Sequence, residues 1–346
     1  MSYTGIAERI LHIANVLVGK MRGGLGVANI LVSTMMGGVS ASNLADAAML
    51  SRMMVPEMER KGYNRAFAAA ITAGGSLVTP IIPPGIALII YGLVADVSIG
   101  KMFIAGLVPG LLCAVVLMFT VYLVARKTNA KPSRESWPTG KEVVFSLGQA
   151  WPALFLIFAV VGGIRANIFT PTEAGAVAVL IVLAIGFFIY REMRISHVVK
   201  ALGETARATA SVMLVIMASA ALGWIFSMEH AGVAVANFVT SLTENKYMFL
   251  LIINILLLTL GMFLEGNAIL LILVPLLKPV AEHFGIDPVH FGIIMIFNLS
   301  IGAFTPPVGT VMLLVCNITQ VSVGNFFKQS LPLLAALLLM LTVSYT

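Results

Sequence analysis

The chain has 346 residues, of which 59% are hydrophobic and only 10% are charged, and its formal net charge is +6. Because soluble domains carry about 25% charged residues, this composition excludes an ordinary soluble protein and predicts a polytopic membrane protein. The basic residues concentrate in two loops, which indicates membrane topology rather than nucleic-acid binding. The sequence has no Walker A lysine motif, Gly-x-Ser-x-Gly elbow or metal-ligand spacing, so we expect neither an enzyme nor a cofactor.

Three membrane features follow one another in the first part of the chain. Two apolar arms over residues 26–57 meet at the polar stretch "GGVSASN", which predicts a re-entrant helical hairpin. The apolar run over residues 64–95 is interrupted by "TPIIPPG". Because proline removes a helical hydrogen bond and its ring clashes with the preceding turn, we predict a broken membrane helix there. Residues 103–125 form a continuous apolar run that is long enough to cross a bilayer.

A basic segment over residues 126–145 comes next, and the positive-inside rule predicts that it is a cytoplasmic loop. The same rule places residues 191–200 in the cytoplasm and residues 165–172 outside. Within residues 146–245, apolar runs predict scaffold spans at residues 151–164, 172–190 and 212–226. Residues 191–206 alternate apolar and charged positions at helical spacing, which predicts an arm helix along the membrane interface.

The last part of the chain repeats the order of features found in the first. A second hairpin is predicted over residues 247–281, with its tip at "FLEGN". A second broken helix is predicted over residues 290–318, where "TPPVG" interrupts the apolar run. A final span is predicted over residues 326–344.

Equivalent stretches recur at a nearly constant offset, which indicates an internal repeat. The tips "SASN" and "LEGN" are 224 positions apart, and the two "PP" pairs are 223 positions apart. The chain therefore contains two copies of one unit, over residues 1–125 and 146–346. The first copy lacks roughly 80 residues that precede the hairpin in the second copy, so we expect an N-terminally shortened chain.

The tips and breaks carry the groups that a transport site needs. Backbone amides at the start of each second hairpin arm carry partial positive charge and face an anion favourably. Carbonyl groups freed at the breaks, together with the hydroxyl groups of Thr79 and Thr305, suit a small hard cation such as Na⁺. Two carboxylates near the tips, Asp46 and Glu265, serve either the site or a helix cap or inter-helix pairing. We predict that both tips and both breaks converge on one site.

The stretches "GGVSASNLADAAML", "FTPTEAGAVAVL" and "MFLEGNAILLILVPLL" closely resemble the large transmembrane subunit of TRAP (tripartite ATP-independent periplasmic) transporters. The resemblance covers essentially the whole chain. It implies an all-α polytopic membrane protein with an inverted-repeat, elevator-type ion transporter fold. It also implies Na⁺-driven uptake of a carboxylate (a C4-dicarboxylate, a sugar acid or a keto acid) across the bacterial inner membrane. The implied partners are a small four-helix membrane subunit, a periplasmic substrate-binding protein and membrane lipid.

The same resemblance implies which residues form two cation and substrate sites. The first site has Ser40, Ser42, Asn43, Thr79, Pro80, Pro83 and Gly85. The second site has Gly266, Asn267, Thr305, Pro306, Pro307 and Gly309. Asp46 and Glu265 are the possible site carboxylates, and Na⁺ is the only metal expected. This chain departs from the family pattern at its N-terminus, because that region supplies scaffold helices in the family.

Two other functions remain open from the residues. A divalent-anion/Na⁺ symporter of the same architecture would work without a binding protein, and a neighbouring gene for a binding protein would decide against it. A channel or a membrane scaffold would lack saturable, Na⁺-dependent uptake. The paired broken helices argue against a pure scaffold.

Overall fold

The computed structural model describes residues 5–126, 131–134, 136–166, 168–229, 241 and 243–343. These residues form helices joined mostly by short turns, and no strand occurs among them. A helix satisfies its backbone hydrogen bonds internally, which is what an apolar chain surrounded by lipid requires. The all-α fold expected from the sequence is therefore confirmed.

The first part of the chain forms a short helix, a hairpin, a helix pair separated by a break, and one long helix. Their bounds are α1 Ile6–Val18, α2 Gly24–Ser40, α3 Asn43–Arg60, α4 Arg65–Ser76, α5 Ile86–Val94 and α6 Ile99–Arg126. Helices α2 and α3 cover the residues of the first predicted hairpin, and α4 and α5 cover those of the first predicted broken helix.

Three long helices lead to a second hairpin, a second interrupted pair and a last span. Their bounds are α7 Gly140–Arg165, α8 Pro171–Ala184, α9 Ile195–Met228, α10 Lys246–Phe263, α11 Gly266–His283, α12 Pro288–Phe304, α13 Thr310–Thr319 and α14 Val323–Val343. A turn of π-helix, Ile185–Ile189, continues α8. The segment aligned in the repeat with residues 5–19, residues 232–246, lies mostly outside the described residues.

The described residues include 6 helices that are long and apolar enough to cross a membrane, or up to 7 if the bent helix α7 is one span. Two of the 6, α10 and α11, are the arms of the second hairpin. Length therefore does not distinguish a hairpin arm from a full crossing. The chain is a multi-pass membrane protein.

One predicted boundary differs from the structure. We expected an arm helix over residues 191–206 and a separate span over residues 212–226, whereas α9 runs without interruption from Ile195 to Met228. The sequence between the two expected elements, "RATAS", has no proline or glycine that would end a helix. The pattern changes from amphipathic to apolar along α9. Such a change alters what surrounds a helix but does not by itself end the helix.

Each hairpin turns within two residues, and a polar side chain starts the second arm. At the first tip, Ala41 adopts a left-handed conformation (φ 56°) and the Ser42 hydroxyl accepts a hydrogen bond from the backbone N–H of Ala45. At the second tip, the Glu265 carboxylate accepts the equivalent bond from the N–H of Ala268. These caps satisfy amides that have no partner within the helix, which fixes where α3 and α11 begin.

The two repeats share their backbone features and pack into each other. Both breaks contain a cis peptide bond, between Pro83 and Pro84 and between Pro306 and Pro307. Within each repeat the first hairpin arm lies on the first half of the broken helix, α2 on α4 and α10 on α12. Between repeats, the second arm lies on the other repeat's second half-helix, α3 on α13 and α11 on α5. The second arm of each hairpin is therefore packed against the other repeat.

Candidate functional site

The tips of the two hairpins line one cavity at the centre of the fold. Tip one contributes residues 41–44, and tip two contributes residues 265–267. The first break contributes Pro80, and α12 and α13 close the other side with Ser300 and Thr310. The cavity has a volume of about 90 Å³, which is room for several water molecules or a small ion with its ligands. The structure thus brings together the two tips that lie 224 positions apart in the sequence.

The predicted site residues divide into those that line the cavity and those that lie behind it. Those that line it are Ser42, Asn43, Pro80, Glu265, Gly266 and Asn267. Those outside the lining are Ser40, Asp46, Thr79, Pro83, Gly85, Thr305, Pro306, Pro307 and Gly309. Most of the second group belongs to the two breaks, so the breaks support the cavity more than they line it.

Asp46 connects the first tip to the first break. Its carboxylate is buried, and it accepts a hydrogen bond from the Ser40 hydroxyl at 2.7 Å and another from the Thr79 hydroxyl at 2.8 Å. Among the described residues, no lysine, arginine or histidine forms an ion pair with Asp46. A buried carboxylate whose partners are neutral hydroxyl groups is costly unless a proton or a cation compensates its charge. Of the roles expected for Asp46, pairing between structural elements is present in this structure. The oxygen atoms of Asp46, Ser40 and Thr79 also have the chemistry to bind a cation.

Glu265 occupies a different environment at the second tip. Its side chain is exposed and caps α11, accepting hydrogen bonds from the N–H of Ala268 at 3.0 Å and the side-chain amide of Asn267 at 2.7 Å. The helix-cap alternative therefore describes Glu265 in this structure. A carboxylate at this position neutralises part of the positive end of the α11 dipole.

Backbone contacts explain the glycines of the two breaks. A Cβ atom on Gly85 would collide with the carbonyl oxygen of Pro80, and one on Gly309 would lie 2.7 Å from the carbonyl oxygen of Thr305. Gly309 also has a positive φ of 42°, and its N–H donates to the carbonyl of Met262 at 2.8 Å. The second break is therefore tied by its backbone to the end of the first arm of its own hairpin.

Thr305 makes a different contact from the one that Thr79 makes. Its hydroxyl donates to the carbonyl of Ile301 in the preceding turn at 2.7 Å. With the offset of 223 that joins the two proline pairs, the counterpart of Thr79 is Gly302 rather than Thr305. The two threonines are thus not equivalent, although both precede a break.

Two polar residues that line the cavity are not among the site residues predicted from the sequence. Ser300 lies in the middle of the apolar helix α12, and Thr310 starts α13 directly after the break. A signal for Ser300 was present, because a polar residue within an otherwise apolar run of a membrane helix faces other parts of the protein rather than lipid. Its helical face could not be assigned from the sequence without the packing of α12.

Comparisons with known proteins agree with this architecture. The profile of the family described as "Tripartite ATP-independent periplasmic transporter, DctM component" matches residues 1–345. The large permease protein SiaM of a sialic acid TRAP transporter from Vibrio cholerae is 39% identical over 99% of this chain and 80% of its own length. The large permease protein DctM of a C4-dicarboxylate TRAP transporter from Pseudomonas aeruginosa is 38% identical over the same shares. These relatives are transporters, as the sequence predicts, rather than enzymes.

The fold also resembles a solved structure. The YdaH transporter of Alcanivorax borkumensis superposes with a TM-score of 0.63 over 99% of this chain and 81% of that one. The two sequences are 18% identical, so this likeness concerns the fold.

Proposed function

Because the chain belongs to the tripartite ATP-independent periplasmic transporter family, as its DctM component, we propose that it is the membrane subunit of a Na⁺-coupled importer of a carboxylate. The observation that carries the proposal is the cavity shared by the two hairpin tips. Each tip contains the N-terminus of a second hairpin arm, and backbone amides of two such termini that face one cavity favour a negatively charged ligand.

The substrate carboxylate binds next to the first tip. There the start of α3 is capped by the neutral hydroxyl of Ser42, and the side chain of Asn43 also lines the cavity. At the second tip, the Glu265 carboxylate already occupies the start of α11. Once Na⁺ compensates the charge of Asp46 in the first turn of α3, an arriving anion is attracted more strongly to α3 than to α11.

Na⁺ binds next to Asp46. The carboxylate oxygens of Asp46 and the hydroxyl oxygens of Ser40 and Thr79 are the hard ligands that such a cation prefers. A cation at this position also explains the coupling of ion to substrate. Without Na⁺, the negative charge of Asp46 repels an incoming carboxylate; with Na⁺ bound, that repulsion is cancelled.

Transport follows an elevator mechanism in which the hairpins and broken helices move as one body. The exchange of α3 onto α13 and of α11 onto α5 supports this, because the two repeats cannot separate without breaking both contacts. The binding protein and the small membrane subunit implied by a tripartite system deliver the substrate and extend the scaffold. The assembly lies in the bacterial inner membrane.

Uptake by the complex reconstituted in proteoliposomes tests this proposal. The complex is assayed with its matched binding protein, in Na⁺ and in K⁺, against C4-dicarboxylates, sugar acids and keto acids. We expect saturable uptake of one class that requires both Na⁺ and the binding protein. Equal uptake in K⁺ would refute Na⁺ coupling, and uptake without the binding protein would favour the divalent-anion symporter.

A further inference from the structure

In the first repeat, helices α2 and α4 meet along a line of small and polar residues, which we call seam one. Asn29, Ser33 and Gly37 of α2 face Thr72 and Gly75 of α4 and Thr79 of the first break. The side-chain amide of Asn29 donates to the Thr72 hydroxyl at 2.6 Å. A Cβ on Gly75 would lie 3.0 Å from the Ser33 hydroxyl, and a Cβ on Gly37 would lie 3.1 Å from the Cα of Thr79. The spacing of three or four residues places Asn29, Ser33 and Gly37 on one face of α2, and Thr72 and Gly75 on one face of α4. Thr79 follows α4 in the first break.

Helices α10 and α12 form the equivalent line in the second repeat, which we call seam two. The side-chain amide of Asn298 donates to the side-chain oxygen of Asn254 at 2.5 Å and to its backbone carbonyl at 2.9 Å. Further along, a Cβ on Gly261 would lie 3.2 Å from the Cα of Gly302. Both seams therefore combine a buried asparagine with a glycine that lets two backbones touch near the tip.

The asparagines are costly at these positions. Asn29 and Asn298 are completely buried, and the side-chain oxygen of each has no hydrogen-bond partner in the described part of the chain. An apolar side chain would pack there without leaving a polar atom unsatisfied. What an amide adds is direction, because apolar surfaces slide over one another whereas a hydrogen bond holds one alignment. A buried asparagine fixes the alignment of paired helices in coiled coils in the same way, at a cost in stability.

Only the first arm of each hairpin has no short covalent connection to the broken helix that it contacts. The second arm continues into the broken helix through a short turn, residues 61–64 in one repeat and 284–287 in the other. The first arm contacts the broken helix without any nearby covalent link. Seam one leads to the proposed cation site, since Gly37 contacts Thr79 and the Thr79 hydroxyl binds Asp46.

We propose that Asn29 and Asn298 are positioning residues that hold the first arm of each hairpin in alignment with its own broken helix. This proposal rests on the proposed function, because seam one leads to the proposed Na⁺ site next to Asp46. A displacement of about 1 Å lengthens the bond between Thr79 and Asp46 beyond hydrogen-bond distance. Loss of a seam amide therefore weakens Na⁺ binding without removing any Na⁺ ligand.

The test uses Asn29→Leu and the isosteric Thr72→Val, with Ser51→Ala as the matched control. Ser51 is buried and its hydroxyl has no partner among the described residues, but it lies on α3, outside both seams. We measure the Na⁺ concentration for half-maximal uptake in proteoliposomes. Both seam variants should raise it by about tenfold, which is what loss of an outer partner costs a metal site. The control should leave it unchanged.

The double variant Asn29→Leu with Thr72→Val separates positioning from general stability. Two apolar partners pack without an unsatisfied polar group, so the melting temperature should recover from that of Thr72→Val, which leaves the Asn29 amide without its Thr72 acceptor. The Na⁺ requirement should remain raised, because the directional contact is still absent. Recovery of both quantities together would overturn the proposal.

Hydrogen exchange of residues 40–46, measured without Na⁺, gives a result that does not depend on ion binding. Exchange at the tip should be faster in Asn29→Leu than in the wild type and in the Ser51→Ala control. Unchanged exchange would overturn the positioning role. Wild-type uptake that ignores Na⁺ would instead refute the proposed function, and the exchange result would still decide the role of the seam.

Discussion

The two repeats build the same backbone around one cavity but equip it with different charges. In the first repeat, the buried carboxylate of Asp46 joins the tip to Thr79. At the same offsets, the second repeat has Leu270 and Gly302, and its carboxylate, Glu265, lies exposed on the tip. Equivalent backbones thus do not imply equivalent chemistry. We expect the repeats to contribute unequally to ion binding.

The substitution Asp46→Asn should abolish this difference and have the largest effect. Asparagine keeps the shape of the side chain and one acceptor oxygen but removes the negative charge that the proposed Na⁺ ion requires. Because a direct ligand matters more than its outer partners, we expect the Na⁺ requirement of uptake to rise at least about 100-fold. Uptake at increasing Na⁺ concentrations measures this effect.

Asp287→Asn is the matched control for that experiment. Asp287 caps α12 outside the cavity, and asparagine caps a helix equally well. A normal Na⁺ requirement in Asp46→Asn would show that the buried carboxylate only pairs helices.

Gly309→Ala tests the steric restriction that the two breaks share. A methyl group there meets the Thr305 carbonyl at a residue that already has a positive φ. We expect a loss of about 1–3 kcal/mol in stability. Gly85→Ala should behave similarly, because its added Cβ would meet the Pro80 carbonyl.

Thermal unfolding in detergent measures both glycine substitutions against Gly324→Ala. Gly324 lies in α14, and a Cβ added there meets no atom within 4 Å. A melting temperature of Gly309→Ala equal to that of this control would contradict the steric argument.

The smallest effect is expected for Glu265→Gln. The side chain is exposed, so solvent screens its charge, and glutamine keeps an oxygen for the N–H of Ala268. We expect the Na⁺ requirement to change by no more than about threefold and the substrate to bind slightly more tightly. A loss of Na⁺ dependence as large as that of Asp46→Asn would mean that the two repeats contribute equally.

The backbone of the site could be predicted from the sequence more completely than its side-chain contacts. Paired prolines and the polar tips mark where helices end, and their recurrence indicated that the tips meet. The contact between Asp46 and Thr79 could not be read in this way, because the residues are 33 positions apart, one on α3 and the other in the first break. Whether two such side chains meet depends on the rotation of each helix. That rotation is set by packing, for example of Gly37 on Thr79.

Neighbouring residue types were also a poor guide to equivalence. Thr305 and Thr79 each precede a proline, yet one hydroxyl bonds to its own helix and the other to a carboxylate. A hydroxyl group in a helix can always turn back to the preceding carbonyl, so its partner is decided by what lies opposite.

The carboxylate that caps the second tip has a consequence for the speed of a transport cycle. Glu265 competes with any anion that approaches α11, since it already accepts a hydrogen bond from the backbone N–H of Ala268. A substrate anion in the cavity is therefore bound more weakly than it would be between two helix N-termini without a carboxylate cap, and it dissociates faster. Faster release of the substrate raises the turnover of a transporter, because each cycle must end with the substrate leaving the site.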